Sequence, residues 1–324
     1  DMNAVAGNPA GWVAVGDHGL ALVSVGGRRY VLPTGTQRAL RDVALPELGT
    51  LYVGYGDGTP EHPEGGLLAY TQRGLRRTAV TLPDEAIVSV SAVSSTEAYA
   101  ISPSRFFRDR NSVLEELLVV PVGRMTDIWA FADDAIWIAG VGGLYSGNAA
   151  APWETVDDSR SYSALTGLDA TTVVALSHST ATWVQGSSVG PANYPVGIWS
   201  DVSWFDQTWG VMVGYSSAPS DSRSVTQLFR GESFTIRYID LPEALNGVSA
   251  WRDAGRERAV AVGDCGRQFA YSEETDTWVG DALPKKDGEG DPVHWTDLAA
   301  GAGRNLYALR AGGIRAYDGV SRWW

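Results

Sequence analysis

The segment "GWVAVGDHGLALVSVGGRRYVL" (Gly11–Leu32) decides the fold, because its pattern returns at the other end of the chain. It contains a short apolar run, a glycine turn, a second alternating run and another turn. The segment "NLYALRAGGIRAYDGVSRWW" (Asn305–Trp324) has the same order. Alternation of this kind is typical of half-buried strands, and glycine turns join strands into hairpins. Both ends of the chain therefore predict the same β-unit.

The unit recurs along the whole chain of 324 residues. Its first strand begins near residues Asn3, Asp42, Ser89, Asp127, Ser163, Asp201, Gly247 and Asp297. Successive starts are 36 to 50 residues apart, and a second apolar run follows each start. Four-stranded units of roughly 40 residues, repeated in tandem, are typical of a β-propeller, in which small sheets pack radially.

The sequence thus predicts an all-β fold: one β-propeller domain over residues 1–324, made of four-stranded antiparallel blades. We expect eight blades, with seven as the alternative if one unit is degenerate. The last unit is the weakest, because only "SRWW" is left for its fourth strand. A β-sandwich or two stacked domains is the alternative fold, although neither gives a reason for a fixed period.

The repeat pattern resembles the glycine-rich "vyavGdgGtilhydG..W" repeats of secreted bacterial β-propellers, and in part kelch-type repeats. The kelch-like positions are Gly142–Gly143, Tyr145, Trp153, Gly312–Gly313, Tyr317 and Trp323. The resemblance covers all eight units, but units 1, 4, 7 and 8 keep the motif best. The resemblance implies that each repeat folds as a propeller blade, but it implies no particular function, since proteins with such repeats have many different roles. It favours a secreted, periplasmic or cell-surface location, although the given chain shows no signal peptide.

Composition excludes several classes of partner. The formal net charge of −13 and the pI near 4.7 argue against binding to nucleic acid or to anionic lipid. The dense basic runs are short, namely Arg73–Arg77 and Arg105–Arg110. The single cysteine, Cys265, excludes an internal disulfide and a multi-cysteine zinc site. No apolar stretch reaches the ~18 residues that a membrane-spanning helix needs.

Three repeats carry extra residues, which predicts an elaborated face. With the strands of a blade named a to d, the b–c and d–a connections of a propeller lie on one face. Units 2 and 6 gain residues in the b–c connection, at Gly54–Gly66 and Gly214–Ser224, and unit 7 gains them mostly before its successor, at Leu283–Trp295. In an eight-bladed ring, units 2 and 6 would stand opposite each other. We call the b–c and d–a side the loop face and predict that it binds a partner.

Polar and aromatic side chains follow the same bias. All four histidines and the cysteine fall in predicted loop-face connections, at His18, His62, His178, His294 and Cys265. The predicted binding residues are Tyr55, Asp57, His62, Trp183, Tyr194, Tyr215, His294 and Trp295. No cofactor is expected, except that Asp57, Glu61 and Glu64 supply oxygen ligands of the kind that calcium prefers.

No catalytic residue is predicted. Aspartates recur at the start of strand a, at Asp42, Asp127, Asp201 and Asp297. A residue repeated in four units is expected to be structural, with its carboxylate bonded to backbone N–H groups. The sequence therefore favours a non-enzymatic propeller that holds a protein or glycan partner. Two alternatives stay open: a polysaccharide hydrolase or lyase with acidic residues at the channel mouth, and a structural module of a larger surface protein.

Overall fold

A computed structural model shows a chain built from short strands. The structure describes residues 2–8, 11–25, 28–47, 50–70, 76–117, 123–150, 153–177, 180–186, 188–190, 198–206, 208–216, 223–230, 233–239, 244–253, 255–264, 267–282, 295–300, 306–310 and 313–317. Within these residues there are 31 strands and one 3-10 helix, Asp17–Gly19. None of the described residues forms a helix long and apolar enough to cross a membrane.

The first four sheets are formed by strands that follow each other along the chain. They are β1 (Met2–Asn8), β2 (Gly11–Gly16), β3 (Ala21–Val25) and β4 (Arg28–Val31); β5 (Leu40–Glu47), β6 (Thr50–Gly56), β7 (Gly65–Tyr70) and β8 (Arg76–Leu82); β9 (Ser89–Ser94), β10 (Glu97–Ile101), β11 (Phe106–Arg110) and β12 (Val113–Leu117); and β13 (Arg124–Ala132), β14 (Ala135–Val141), β15 (Gly143–Gly147) and β16 (Glu154–Asp157).

The remaining sheets continue the same order. They are β17 (Ala164–Asp169), β18 (Thr172–Leu176), β19 (Ala181–Gln185) and β20 (Ser188–Val189); β21 (Ile198–Asp206), β22 (Trp209–Ser216), β23 (Arg223–Arg230) and β24 (Ser233–Ile239); β25 (Leu245–Asp253), β26 (Arg256–Gly263), β27 (Arg267–Ser272) and β28 (Thr277–Ala282); and β29 (Trp295–Ala300), β30 (Leu306–Arg310) and β31 (Gly313–Tyr317).

Seven of these sheets have four strands, and the last has three. We number the four-stranded sheets as blades 1 to 7 in chain order. The expectation of eight four-stranded blades is therefore wrong, and the alternative count of seven is the one observed. The shortfall is in the last repeat, where the predicted fourth strand, "SRWW", lies outside the described residues.

The chain divides into two compact parts, each of which contains several repeats. From here on, unit 1 and unit 2 mean these two parts and not the repeats of the sequence analysis. Unit 1 comprises Asp1–Ala175 and Val184–Val189, and unit 2 comprises Leu176–Trp183 and Gly190–Trp324. In both units, the first strands of successive sheets lie against each other. These pairs are β1 with β5, β5 with β9, β9 with β13 and β13 with β17 in unit 1, and β21 with β25 and β25 with β29 in unit 2.

Burial changes across each sheet and explains the choice of residues. The second strand is almost entirely buried, as in β2, β6, β10 and β18. Its sequence is a nearly continuous apolar run, since in β6 and β10 both faces of the strand pack against neighbouring sheets. The fourth strand is largely exposed, as in β4 and β12, and it carries polar residues. The repeated succession of apolar and polar runs therefore follows the burial of each strand within its sheet.

The apolar core is divided among the seams between consecutive sheets. In unit 1, separate clusters fill the seams of blades 1 and 2, 2 and 3, 3 and 4, and 4 and 5. In unit 2, a cluster that includes Trp209 and Tyr271 fills the seam of blades 6 and 7. Each repeat thus buries its apolar residues only against its neighbours, which is the packing expected of a tandem array.

Candidate binding face and inner-strand carboxylates

The b–c and d–a connections contact each other within each unit. In unit 1, the Gly19 N–H of a b–c turn donates to the Arg38 carbonyl of a d–a segment at 2.9 Å. The Met125 N–H likewise donates to the Pro103 carbonyl at 2.9 Å. In unit 2, the Asp264 N–H donates to the Ala244 carbonyl at 3.0 Å. These bonds bring the two kinds of connection to the same end of the sheets, as the definition of the loop face requires.

The inserted loop of blade 2 is tied to the sheet by an arginine. The Arg38 guanidinium bonds the Asp57 carboxylate at 3.1 Å and also pairs with Glu64. Asp57 additionally accepts the Ala39 N–H at 2.8 Å. Partial burial acts to raise the pKa of Asp57, but the Ala39 and Arg38 hydrogen bonds outweigh it and hold the pKa below its ordinary value of 3.8. The base of the loop is therefore held by charge-assisted bonds.

The tip of the same loop is exposed and has a defined conformation. Thr59 and His62 form an isolated antiparallel bridge, in which the His62 N–H donates to the Thr59 carbonyl at 3.0 Å. Pro60, Glu61 and His62 are exposed to solvent. The loop thus presents an imidazole and a carboxylate from a fixed base, which is the usual design of a recognition loop.

The same contacts bear on calcium. Asp57 and Glu64 already face the Arg38 guanidinium, while Glu61 lies at the exposed tip. Within the residues that the structure describes, no group of three or more His, Cys, Asp or Glu side chains converges. A calcium ion at Asp57, Glu61 and Glu64 would have to displace Arg38, and calcium binding stays a prediction.

Tyr55 is buried and not exposed on the loop face. Its side chain is 8% exposed and belongs to the apolar cluster between blades 1 and 2. The ring approaches Gly66, where a Cβ would lie 2.7 Å from the Tyr55 hydroxyl. Tyr55 is the sixth residue of β6, a strand that is buried along its whole length. Its expected role in stacking on a partner is therefore replaced by a role in packing.

Trp183 and Tyr215 are half-buried in unit 2. Trp183 lies in the middle of β19 and not in a connection. Its ring is 4.8 Å from that of Trp204 and 5.4 Å from that of Phe229, so it takes part in an aromatic cluster. Tyr215 is close to the end of β22 that leads into the b–c connection, and it pairs with Ser224 across the sheet. Of the two, Tyr215 is closer to the loop face.

The other predicted residues are only partly covered by the structure. Tyr194, His294, His178 and Cys265 lie outside the described residues. Trp295 is the first residue of β29, and its side chain lies outside the described part. Their places on the loop face, and the positions of the three insertions around the chain, stay predictions.

The recurrent aspartates connect the first strands of consecutive blades, which we call the inner strands. Asp42 accepts the N–H of Val43, its own neighbour, at 2.8 Å and the N–H of Val90 in the next blade at 2.7 Å. Asp127 does the same with Ile128 at 2.9 Å and Leu165 at 2.6 Å. The predicted structural role is confirmed for Asp42 and Asp127.

Asp201 repeats the arrangement in unit 2. It accepts the Val202 N–H at 2.7 Å and the Val248 N–H of the next blade at 2.8 Å. Serines add a second connection: the Ser203 hydroxyl accepts the Ala250 N–H at 3.0 Å. In each of these bonds from a backbone N–H group to a side chain of another blade, the acceptor belongs to the earlier blade, so this connection has a direction along the chain. The side chain of Asp297 lies outside the described residues.

Asp42 and Asp127 meet at one side chain. The Ser89 hydroxyl oxygen lies 3.1 Å from an oxygen of Asp42 and 2.6 Å from an oxygen of Asp127. Burial is the main cause that raises the pKa of both carboxyls, and it is partly offset by the hydrogen bonds that they accept. The pKa of Asp127 rises to about 7, with the nearby Asp42 charge contributing.

The opposite end of the sheets carries charged networks and a cleft. In unit 1, Arg110 pairs with Asp133 at 2.8 Å, and Tyr99 donates to Asp133 at 3.0 Å. A cleft of about 370 Å³ lies nearby and is lined by Trp137, Ala170, Asp134, Glu154, Asn148 and neighbouring residues. Trp137 closes part of it by donating its indole N–H to the Ala170 carbonyl at 3.3 Å.

Sequence reasoning missed Arg38, the residue that orders the inserted loop. Its signal was available, because Arg38 lies in a d–a segment and the acidic loop in the following b–c connection. The two share a face, so a cation beside two carboxylates could be expected there. Sequence reasoning also missed the contact made by Ser89, which stands where four other repeats have aspartate.

Four-stranded antiparallel sheets that follow each other in chain order, with apolar seams between them, define the chain as a β-propeller. No protein-family model matches the sequence, and no curated protein matches it either.

Three solved structures share the fold. YCF48 bound to a D1 peptide aligns over 97% of this chain and 91% of its own, with a TM-score of 0.57 and 12% identity. YCF48 from Cyanidioschyzon merolae aligns over 87% and 96%, with a TM-score of 0.58 and 15% identity. A prolyl endopeptidase aligns over 98% of this chain and 47% of its own, with a TM-score of 0.50 and 13% identity. These similarities show the propeller fold, while the kelch-like and glycine-rich character of the repeats stays an interpretation.

Proposed function

We propose that this chain is a non-enzymatic binding propeller that holds a partner on its loop face. The observation that carries the proposal is the inserted loop of blade 2. Arg38 fixes its base through Asp57 and Glu64, and Glu61 and His62 are exposed at its tip. A loop with an ordered base and a polar, exposed tip on a rigid sheet meets the requirements for specific recognition.

A protein segment is the partner that we favour over a glycan. Among proteins of the same fold, YCF48 has been solved with a D1 peptide bound, so a propeller of this kind can hold a peptide. The net charge of −13 favours a partner with basic side chains. Tyr194, Tyr215, His294 and Trp295 are proposed as further binding residues, and they belong to unit 2.

The proposal is tested on a peptide array and a glycan array with the purified chain. We expect retention on peptides that contain Lys or Arg, and at least a fivefold loss of that retention in a Glu61→Ala/His62→Ala variant. Tyr215→Ala and Trp295→Ala should weaken the same interaction without unfolding the protein. The matched control is Asp134→Ala/Glu154→Ala, which removes charge at the opposite end. Equal loss in the control and in the loop variant would contradict the proposed face.

The hydrolase or lyase alternative makes a different prediction. Its best candidates, the inner-strand aspartates, already accept backbone N–H groups, which leaves them poorly placed to act on a substrate. A binding protein should release no reducing ends or unsaturated products from a panel of polysaccharides. Release that disappears in an Asp127→Asn variant would replace the binding proposal by the enzymatic one.

We also propose that the protein acts in the envelope or outside the cell, a location supported by the resemblance of its repeats to those of secreted propellers. Cell fractionation with an antibody against the chain tests the location. Recovery in the cytoplasmic fraction alone would contradict it.

A further inference from the structure

The contact between Asp42, Ser89 and Asp127 has one hydrogen too few. The Ser89 hydroxyl oxygen lies within hydrogen-bond distance of a carboxylate oxygen on each side, at 3.1 Å and 2.6 Å. A serine hydroxyl carries a single hydrogen, so it can donate to only one of the two carboxylates. The other contact then needs a hydrogen on the carboxyl group, or it places two lone pairs against each other.

The surrounding groups do not supply that hydrogen. The N–H groups of Val43 and Val90 are directed at Asp42, and those of Ile128 and Leu165 at Asp127. Each satisfies its own contact and leaves the contact at Ser89 unchanged.

No cation compensates the pair in the part of the chain that the structure describes. On β5, Arg41 donates to the carbonyls of Gly56 and Asp57. On β9, the Ser91 hydroxyl is uncharged and accepts the Ala130 N–H. On β13, Arg124 is exposed at the start of the strand, and β17 contributes only the backbone N–H of Leu165. The charged groups at this contact are therefore the two carboxyls alone.

We propose that Asp42, Ser89 and Asp127 share one bound proton near neutral pH, and that this proton stabilises the connection between the inner strands β5, β9, β13 and β17. With the proton on Asp127, its O–H donates to the Ser89 oxygen and the Ser89 O–H donates to Asp42. All contacts are then satisfied with a single negative charge. Without the proton, two buried carboxylates face each other across one hydroxyl.

The raised pKa of both carboxyls agrees with this arrangement, and it sets the pH range. A carboxyl whose pKa is higher in the folded than in the unfolded protein binds its proton more tightly when folded. Its stabilising effect is complete below the unfolded value, here 3.8, and is lost as the pH rises towards the folded value of about 7. We therefore expect unit 1 to become less stable between these two pH values.

The proton is observed directly by NMR of protein labelled with 13C at the aspartate carboxyl carbons. We expect one aspartate resonance to titrate close to pH 7 in the native protein. Asp127→Asn should abolish that titration, and Asp42→Asn should shift it to lower pH because it removes the neighbouring charge. Asp201→Asn, at the equivalent position of unit 2, is the matched control and should leave it unchanged. Absence of any aspartate titration between about pH 5 and 8 overturns the proposal.

Hydrogen exchange tests the structural consequence separately. Protection of the Val90 and Leu165 amides, corrected for intrinsic exchange, should fall severalfold from pH 6 to pH 8 in the native protein. Ser89→Ala should remove this pH dependence, whereas Ser203→Ala in unit 2 should retain it. Protection that does not change with pH in the native protein would show that the shared proton does not stabilise the strands.

Discussion

At the scale of the residue, an inner-strand aspartate satisfies backbone groups on two blades. Asp201 is the simplest case, because it accepts the N–H groups of Val202 and Val248. Both groups lie on the first strands of their sheets, β21 and β25. Removal of the carboxylate leaves donors unpaired, and an unpaired buried donor costs about 1–3 kcal/mol.

We predict that Asp201→Ala lowers the free energy of unfolding by about 2–4 kcal/mol, since two donors lose their acceptor. Urea denaturation followed by tryptophan fluorescence measures the change. Asp206→Ala is the control, because Asp206 bonds Arg252 and Thr208 at a half-exposed turn. An effect of Asp201→Ala no larger than that of Asp206→Ala would contradict the role assigned to the inner-strand aspartates.

The structural role of these aspartates could be predicted from the sequence, since recurrence in four repeats is typical of a structural residue. Their partner could not be predicted. Asp42 bonds Val90, a residue 48 positions away, and this pairing depends on how one inner strand lies against the next. The contact with Ser89 could not be predicted either, because it arises only when strands from three repeats meet.

At the scale of the strand, blades 4 and 5 approach each other closely at one glycine. Gly167 of β17 faces Trp129 of β13, and a Cβ on Gly167 would lie 2.5 Å from two carbons of the indole ring. The ring cannot retreat freely, because it belongs to the apolar seam of these blades. The glycine therefore serves close approach and not a turn.

We predict that Gly167→Ala destabilises the protein by about 1–3 kcal/mol through overpacking. A second change, Trp129→Leu, should make the alanine tolerable, so the two effects should not add in a double-mutant cycle. Gly186→Ala is the comparison: nothing lies within 4 Å of its Cβ, and only its φ of +60° opposes the change. Additive effects of Gly167→Ala and Trp129→Leu would contradict the close contact.

The inserted loop shows how far an element can be predicted. Its position after β6, its exposure at His62 and its acidic character follow from the sequence. Its conformation does not, because Arg38 comes from the preceding d–a segment and the ion pairs form only after β5 and β6 have paired. Tyr55 was misplaced for a related reason: it adjoins the loop in sequence, yet β6 continues through it into the buried seam.

At the scale of the whole molecule, several carboxylates stabilise the fold, and their contribution is lost at low pH. For Asp17, the hydrogen bond from Asn3 is the main cause that lowers the pKa. For the others, partial burial acts to raise the pKa, but the hydrogen bonds that the carboxylate accepts outweigh it and lower the pKa. These residues are Asp17, Asp57, Glu85, Asp157 and Asp206. A lowered pKa gives stability that is complete above the ordinary values of 3.8 for Asp and 4.5 for Glu, and that is lost as the pH falls through the folded value.

We therefore predict that the thermal unfolding midpoint falls steeply below about pH 4. Asp57→Asn should reduce this fall, because one of the carboxylates that must take up a proton is removed. Glu61→Gln, at the exposed tip of the same loop, is the control and should leave the fall unchanged. Calorimetry from about pH 5 to 2.5 gives the comparison. A flat midpoint over this range would contradict the assigned bonds.

The architecture could be predicted from the sequence because turn glycines and apolar runs mark each repeat, and these local signals do not depend on distant contacts. The number of complete blades could not be predicted in the same way. The last repeat keeps the runs of its first three strands, and these three strands are the ones that the structure describes. The fourth strand is hard to predict because outer strands such as β4 and β12 are exposed, so their sequences are weakly constrained.

The direction of the aspartate connections has a consequence for how such a gene changes in length. Blades 2, 4 and 6 each offer an inner-strand carboxylate to the following blade, and blades 3, 5 and 7 supply the N–H groups that donate to it. The connection therefore recurs every two blades, so a tandemly duplicated pair of repeats arrives with compatible ends. Related genes should differ in length by pairs of repeats more readily than by single ones.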